Sequence, residues 1–270
     1  MIKLLAVIFI LLLYSIGRAR GTITLKALCF NIAVLCISII LMSWGWDPVL
    51  VTFPGCLIIC YITLFYQNGK NAKTLASFSA VIVVLILLFT LSYSIGYMSH
   101  LSGVNEIMRN EDEIAMLSPD VNINMSKIAI AVILTGLIGA AMDASIAVSS
   151  AVYEVYKNNR DLGIIELFKS GIHIGSDILG ATVNTLYFAC LGGSLTLFIL
   201  FKNYHYTLLE VINSKAFCQE FVDIIFSCLA CVLVVPLTAI IISYILSNLD
   251  QFENYLLDDD LYMERKYDEE

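Results

Sequence analysis

The sequence predicts an all-α fold: a polytopic transmembrane helix bundle of about seven spans, with its N terminus outside and its C terminus cytoplasmic. Three observations predict it. Of 270 residues, 59% are hydrophobic and 14% charged, against about 25% charged in ordinary soluble domains, and the mean hydropathy is +0.86. The apolar residues come in blocks long enough to cross a bilayer. Such blocks must be helices, because lipid offers no partner for a free backbone N–H or C=O.

The first block, Leu4 to Gly17, is the shortest. With Lys3 ahead of it, it resembles the core of a signal peptide, but Arg18 and Arg20 follow at once without a small-x-small cleavage site, so it reads as a span. The next two blocks are Ile23 to Ser43 and Pro48 to Tyr66. They are joined by Trp44-Gly45-Trp46-Asp47, a link without positive charge whose two tryptophans suit an interfacial belt. Leu75 to Met98 and Ile128 to Tyr153 follow, separated by an acidic outer loop over 99–126 that reads as a solvated face. A cytoplasmic link over 154–170 comes next. Its Leu162, Ile164, Ile165 and Phe168 oppose Glu166 and Lys169, and Asp161 is placed as N-cap, the pattern of an interfacial amphipathic helix. Ile174 to Phe201 and Val222 to Ser247 complete the bundle, which occupies 1–248, with Pro236 placed to kink the last span.

Orientation follows from the basic residues. An outer N terminus puts ten of the 15 lysines and arginines on the cytoplasmic side, and five (Lys3, Arg109, Lys127, Lys202 and Lys215) outside. The acidic tail over 249–270 holds nine carboxylates against Arg265 and Lys266, a charge of −7. Since the whole chain carries −8, residues 1–248 carry only −1, and a basic nucleic-acid surface is excluded.

Seven of the eight cysteines lie in apolar blocks, where cysteine behaves as a small hydrophobe, so neither a disulfide framework nor a metal site is expected. No phosphate-binding glycine loop, His-Glu-x-x-His helix or nucleophile elbow is present, so the chain reads as neither an enzyme nor a cofactor binder.

The chemistry concentrates between Gly136 and Asn184. In the fifth block Gly136, Gly139, Asp143, Ser150 and Glu154 share one helical face, small residues flanking a carboxylate within the membrane. Charging Asp143 in lipid costs at least about 2.5 kcal/mol, so it should face the bundle interior and meet a partner, a cation or a proton. In the sixth block His173, Asp177, Gly180 and Asn184 share a face, and an antiparallel neighbour places Asp177 at the depth of Asp143. The candidate site is therefore Asp143, Asp177, Asn184, Glu154 and Ser150, binding an ion or a substrate.

The run Gly139-Ala140-Ala141-Met142-Asp143, Ser149-Ser150, Tyr153-Glu154, Glu166-Leu167-Phe168-Lys169-Ser170-Gly171, Ile174-Gly175-Ser176-Asp177 and Asn184-Thr185-Leu186 resembles the signature of the YibE/F family of bacterial multi-pass membrane proteins. By its length the chain looks like the shorter, YibF-like member. The resemblance implies a bacterial cytoplasmic membrane and a paralogous partner. It brings no established activity. Two functions fit the residues: a permease whose intramembrane carboxylates bind a proton or cation, and a non-transporting subunit or scaffold, with a homo-oligomer as a further possible assembly. An aspartyl intramembrane protease does not fit, since Ile174-Gly175-Ser176-Asp177 lacks the Gly-x-Gly-Asp pattern.

Overall fold

The computed structural model describes residues 2–98, 125–248 and 252. The loop over 99–124, expected on the outer side of the membrane, and the rest of the acidic tail lie outside the described residues. Among these there is no strand. The elements are α1 (Ile2–Ser43), α2 (Pro48–Tyr61) continuing into a π-helical turn (Ile62–Tyr66), α3 (Ala72–Met98), α4 (Met125–Asn158), α5 (Ile164–Gly193), α6 (Leu195–Asn203), α7 (Leu208–Asn213) and α8 (Lys215–Ser247).

Among the described residues six helices are long and apolar enough to cross a membrane: Arg20–Ser43, Pro48–Tyr66, Ala72–Ser92, Ser126–Asn158, Ile164–Gly193 and Lys215–Ser247. The first expected span, Leu4 to Gly17, falls in a shorter apolar helix, Lys3–Gly17, within α1. α1 is not a straight rod. A Cβ on Gly21 would collide with the carbonyl of Leu13, which a straight helix would hold about 12 Å away along its axis, so the chain bends sharply between them.

Turn chemistry explains the ends at 43–47 and 67–74. Gly45, at φ 88°, closes α1 by donating to the Met42 carbonyl while Trp46 N–H reaches Leu41, a left-handed stop that a side chain would strain. Asp47 then caps α2, accepting from Val49 N–H at 3.1 Å, and pairs with the Lys127 ammonium at the start of α4. Trp44 and Trp46 are both exposed at this end, as an interfacial belt requires. Asn71 and Thr74 exchange side-chain bonds at 3.0 and 3.1 Å to begin α3.

α4 is the central helix, packed against α2, α3, α5 and α8. Two thirds of its span is buried (67%), whereas the spans of α1 and α5 are 6% buried and peripheral. Between α3 and α4 the hydroxyls of Ser77 and Ser149 meet at 2.8 Å in a buried contact, the kind of interhelical bond lipid favours. Cysteines serve similarly. Cys231 of α8 donates to Ala140 O at 3.5 Å, and Cys56 of α2 approaches Leu134 O at 3.8 Å.

α5 seats itself by glycine. A Cβ on Gly171 would lie 2.9 Å from both Ala239 of α8 and Val152 of α4, and one on Gly175 would overlap Val235 while meeting Val148 at 3.4 Å. Leu167, fully buried, extends the same face by one turn. This seam corrects two expectations. Residues 162–170 do not form a separate interfacial helix, because Leu167 and Gly171 turn them onto the bundle as the first turns of α5. Gly163, not Asp161, is the N-cap, its N–H donating to the Glu166 carboxylate at 3.2 Å. The sixth apolar block also breaks, at Gly193 and Ser194, so α6 is a separate short helix.

Two predictions follow from this packing. Gly175→Ala should lower stability in detergent by about 1–3 kcal/mol, since Val235 has nowhere to move, whereas Gly139→Ala, with nothing within 4 Å, should stay within about 0.5 kcal/mol. Chemical unfolding of the two variants beside the parent checks this. The second prediction concerns Asp47, whose carboxyl lies below the ordinary 3.8, chiefly because Lys127 donates to it and also through the Val49 N–H. A depressed carboxylate stabilises fully above pH 3.8 and loses that contribution as the pH falls through its lowered value. Asp47→Asn should therefore flatten the acid limb of the stability curve, and Asp47→Ala should cost about 1 kcal/mol more at neutral pH through the lost cap.

Candidate functional site

The glycine seam fixes the register of three helices. Gly171 sits between Val152 and Ala239, and Gly175 between Val148 and Val235, so α5 runs antiparallel to α4 while α8 runs parallel to it. Counting from these contacts, Asp177 is level with Ile146, and Asp143 lies three residues, about 4.5 Å, away in depth. The two carboxylates thus share a depth as the sequence suggests.

They do not share a cavity. Asp177 follows Gly175 by two residues and Asn184 by nine, turns of about 200° and 180° around the helix, so both point away from the face that packs on α4 and α8. Both are exposed, as is His173. Asp143 precedes Val148 by five residues and faces about 140° from the contact with α5. The predicted constellation therefore separates into two faces. Asp143, Ser150 and Glu154 lie on the open face of α4, while Asp177 and Asn184 lie on the outward face of α5. The physical reason is the seam: glycines, not polar side chains, occupy the close approach of α5.

The more open face of α4 runs through Val132, Gly136, Gly139, Asp143, Ser150 and Glu154, which are exposed or half-buried. A cavity flanks it at each end, and α1 contributes to the wall of both. One, of about 570 Å³, is polar and is lined by Ser150 and Tyr153 of α4 with Arg20, Lys73, Gln67 and Asn71. Within it the Lys73 ammonium lies 4.3 Å above the Tyr153 ring. The other, of about 490 Å³, is apolar over most of its wall and is lined by α1, α2 and the first half of α4, together with Asp223 of α8. Asp143 stands between the two. Glu154, exposed, lies one turn beyond Ser150 at the polar end.

Asp223 is a candidate site residue that the apolar pattern conceals. Its carboxylate lies against Gly136, where a Cβ would be 2.9 Å from Oδ1, and Oδ1 is buried without a hydrogen-bond partner. Gly136 and Asp143 are seven residues apart on nearly the same face, so Asp223, lying against Gly136, and Asp143 are separated by about 10 Å along α4. One turn before Asp223, the Glu220 carboxylate accepts from Ser194 Oγ at 3.3 Å. The signal was a lone carboxylate in the last apolar block. An edge drawn at Val222 leaves it at the membrane boundary, whereas α8 begins at Lys215 and carries it two turns inside. Among the described residues no group of three or more His, Cys, Asp or Glu is placed to hold a metal ion.

Six helices long and apolar enough to cross a membrane among the described residues, packed as a bundle around α4, define a multi-pass α-helical membrane protein. The family model described as YibE/F-like protein matches residues 5–248, nearly the whole chain, and the chain belongs to that family. No curated protein and no solved structure matches it.

Proposed function

We propose that the chain is a permease, not an enzyme, working in a bacterial cytoplasmic membrane with the end that carries 67–74 and 159–163 in the cytoplasm. The observation that carries this reading is Asp143: a carboxylate in mid-span, on an open helix face, between a polar cavity and an apolar one. An ionisable group held inside a membrane is expensive unless it serves a path for charge. The polar cavity at Ser150 supplies water and protons from one side, Asp143 takes up a proton or cation, and the groove leads on to Asp223. Asp177 and Asn184, on the other side of α5, stand outside this path. Reconstituted in proteoliposomes, the parent chain should dissipate a proton or cation gradient in the presence of its solute, and Asp143→Asn should reduce the flux roughly tenfold or more, while Asp177→Asn should leave it close to the parent's. Equal flux through the parent and Asp143→Asn would sink the assignment.

A second reading, a subunit acting with a membrane partner, is favoured by one specific observation. The outward stripe of His173, Asp177, Gly180 and Asn184 is polar and exposed on a peripheral span, and nothing lies within 4 Å of a Cβ on Gly180. Lipid is a poor neighbour for that stripe, and a second helix, from a paralogous chain or another copy, would satisfy it. A photo-crosslinking residue at Thr185, beside Asn184, should give an adduct in native membranes, while one at the buried Val148 should give none. Absence of any adduct at Thr185 counts against an assembly through α5, and the adduct's mass separates self-association from a paralogue.

A further inference from the structure

The apolar cavity between α1 and α4 has few polar side chains, and most of them are already engaged. Ser38 Oγ donates to Val34 O at 2.9 Å, Thr135 Oγ1 to Ala131 O at 2.8 Å, and Cys56 reaches Leu134 O at 3.8 Å. Two oxygens are left over. Thr52 Oγ1, on a side chain 6% exposed, and Asp223 Oδ1 are both buried with no hydrogen-bond partner, and both residues line this cavity. Buried polar atoms are almost always paired, so two orphans on one cavity wall point to a guest that supplies donors. No Lys, Arg or His is among the lining residues, and the Glu220 carboxylate one turn from Asp223 adds further negative charge. Leu35, Ile39, Met42 and Val132 provide the apolar body of the site, and its volume of about 490 Å³ lies in the range of small-molecule pockets.

We propose that this cavity binds a small amphipathic organic cation, an ammonium group on an aryl or alkyl body. Its N–H donates to Asp223 Oδ1 and a further N–H is accepted by Thr52, while the body rests on the aliphatic wall. Gly136 makes room for the carboxylate, since a methyl there would press on Oδ1 at 2.9 Å. Ile39 and Val132, 64% and 54% exposed, form an open rim beside α1, which suits entry from the lipid phase. Binding does not require that the molecule be moved; only as the substrate class of the permease does it rest on that reading.

The test is equilibrium binding to the purified chain in detergent, with radiolabelled 2-phenylethylammonium and, as the uncharged probe of similar shape, 2-phenylethanol. The ammonium should bind saturably and lose about tenfold or more in affinity in Asp223→Asn, whereas the alcohol should not distinguish that variant from the parent. Ile39→Trp, at an exposed position that tolerates bulk, fills the rim and should weaken both probes even if Asp223→Asn fails to fold. Absence of ammonium binding to the parent, equal affinity in the parent and Asp223→Asn, or unchanged binding in Ile39→Trp would overturn the proposal. Ammonium binding without ammonium flux in proteoliposomes would leave this site standing and remove the amine only as the permease's substrate, while the permease reading itself falls on equal flux through the parent and Asp143→Asn.

Discussion

Three helices meet at Gly171 and Gly175 with no room for a methyl group, and the direction of every polar side chain on α4, α5 and α8 depends on that meeting. Between membrane helices there is little hydrophobic force to be gained, because lipid tails are as apolar as leucine; close backbone approach and van der Waals packing take its place. Once α5 is seated by its glycine face, rotation is no longer free. Val148 and Val152 are committed to α5, Asp143 is turned about 140° away, and Asp177 is sent to the far side of its own helix.

The same constraint shapes the groove. With α5 and α8 on one side of α4 and α2 and α3 on the others, the remaining face of α4 is left for α1, which leans on α2 and the π-helical turn instead of closing over it. Asn31 of α1 donates to Thr63 in that turn at 3.0 Å, which fixes the lean. The result is two cavities beside α4, a polar one with Arg20 and Lys73 in its wall and an apolar one with Asp223 in its wall. Carboxylates placed along such a gradient of polarity are where charge can be held inside a membrane without being exposed to hydrocarbon.

Much of this was legible in the sequence. Bilayer-length apolar blocks locate the helices because only a helix satisfies its own backbone in lipid, and helical spacing alone places Gly136, Gly139, Asp143 and Ser150 on one face. Similar depth for Asp143 and Asp177 follows from counting along antiparallel spans. What the spacing does not contain is the rotation of one helix against another. His173, Asp177, Gly180 and Asn184 share a face as read, yet which way that face looks is set by Gly171 and Gly175 on the opposite side. Asp223 was hidden for a different reason: hydropathy marks where a block is apolar, not where its helix begins, and α8 starts two turns earlier.

The sequence by itself determined the solvent and the periodicity. It made this a helical membrane protein, chose which residues share a face, and placed carboxylates in mid-span, because these properties depend on composition and on a fixed turn per residue. Only the tertiary structure decided which faces meet. That choice separated Asp143 from Asp177, set Asp223 against Gly136, two turns from Asp143 on the same face of α4, and ran the two N-terminal blocks into a single bent helix. The reason is that packing is decided by shape at the points of closest approach, where Gly21, Gly136, Gly171 and Gly175 admit a neighbour that any side chain would hold off.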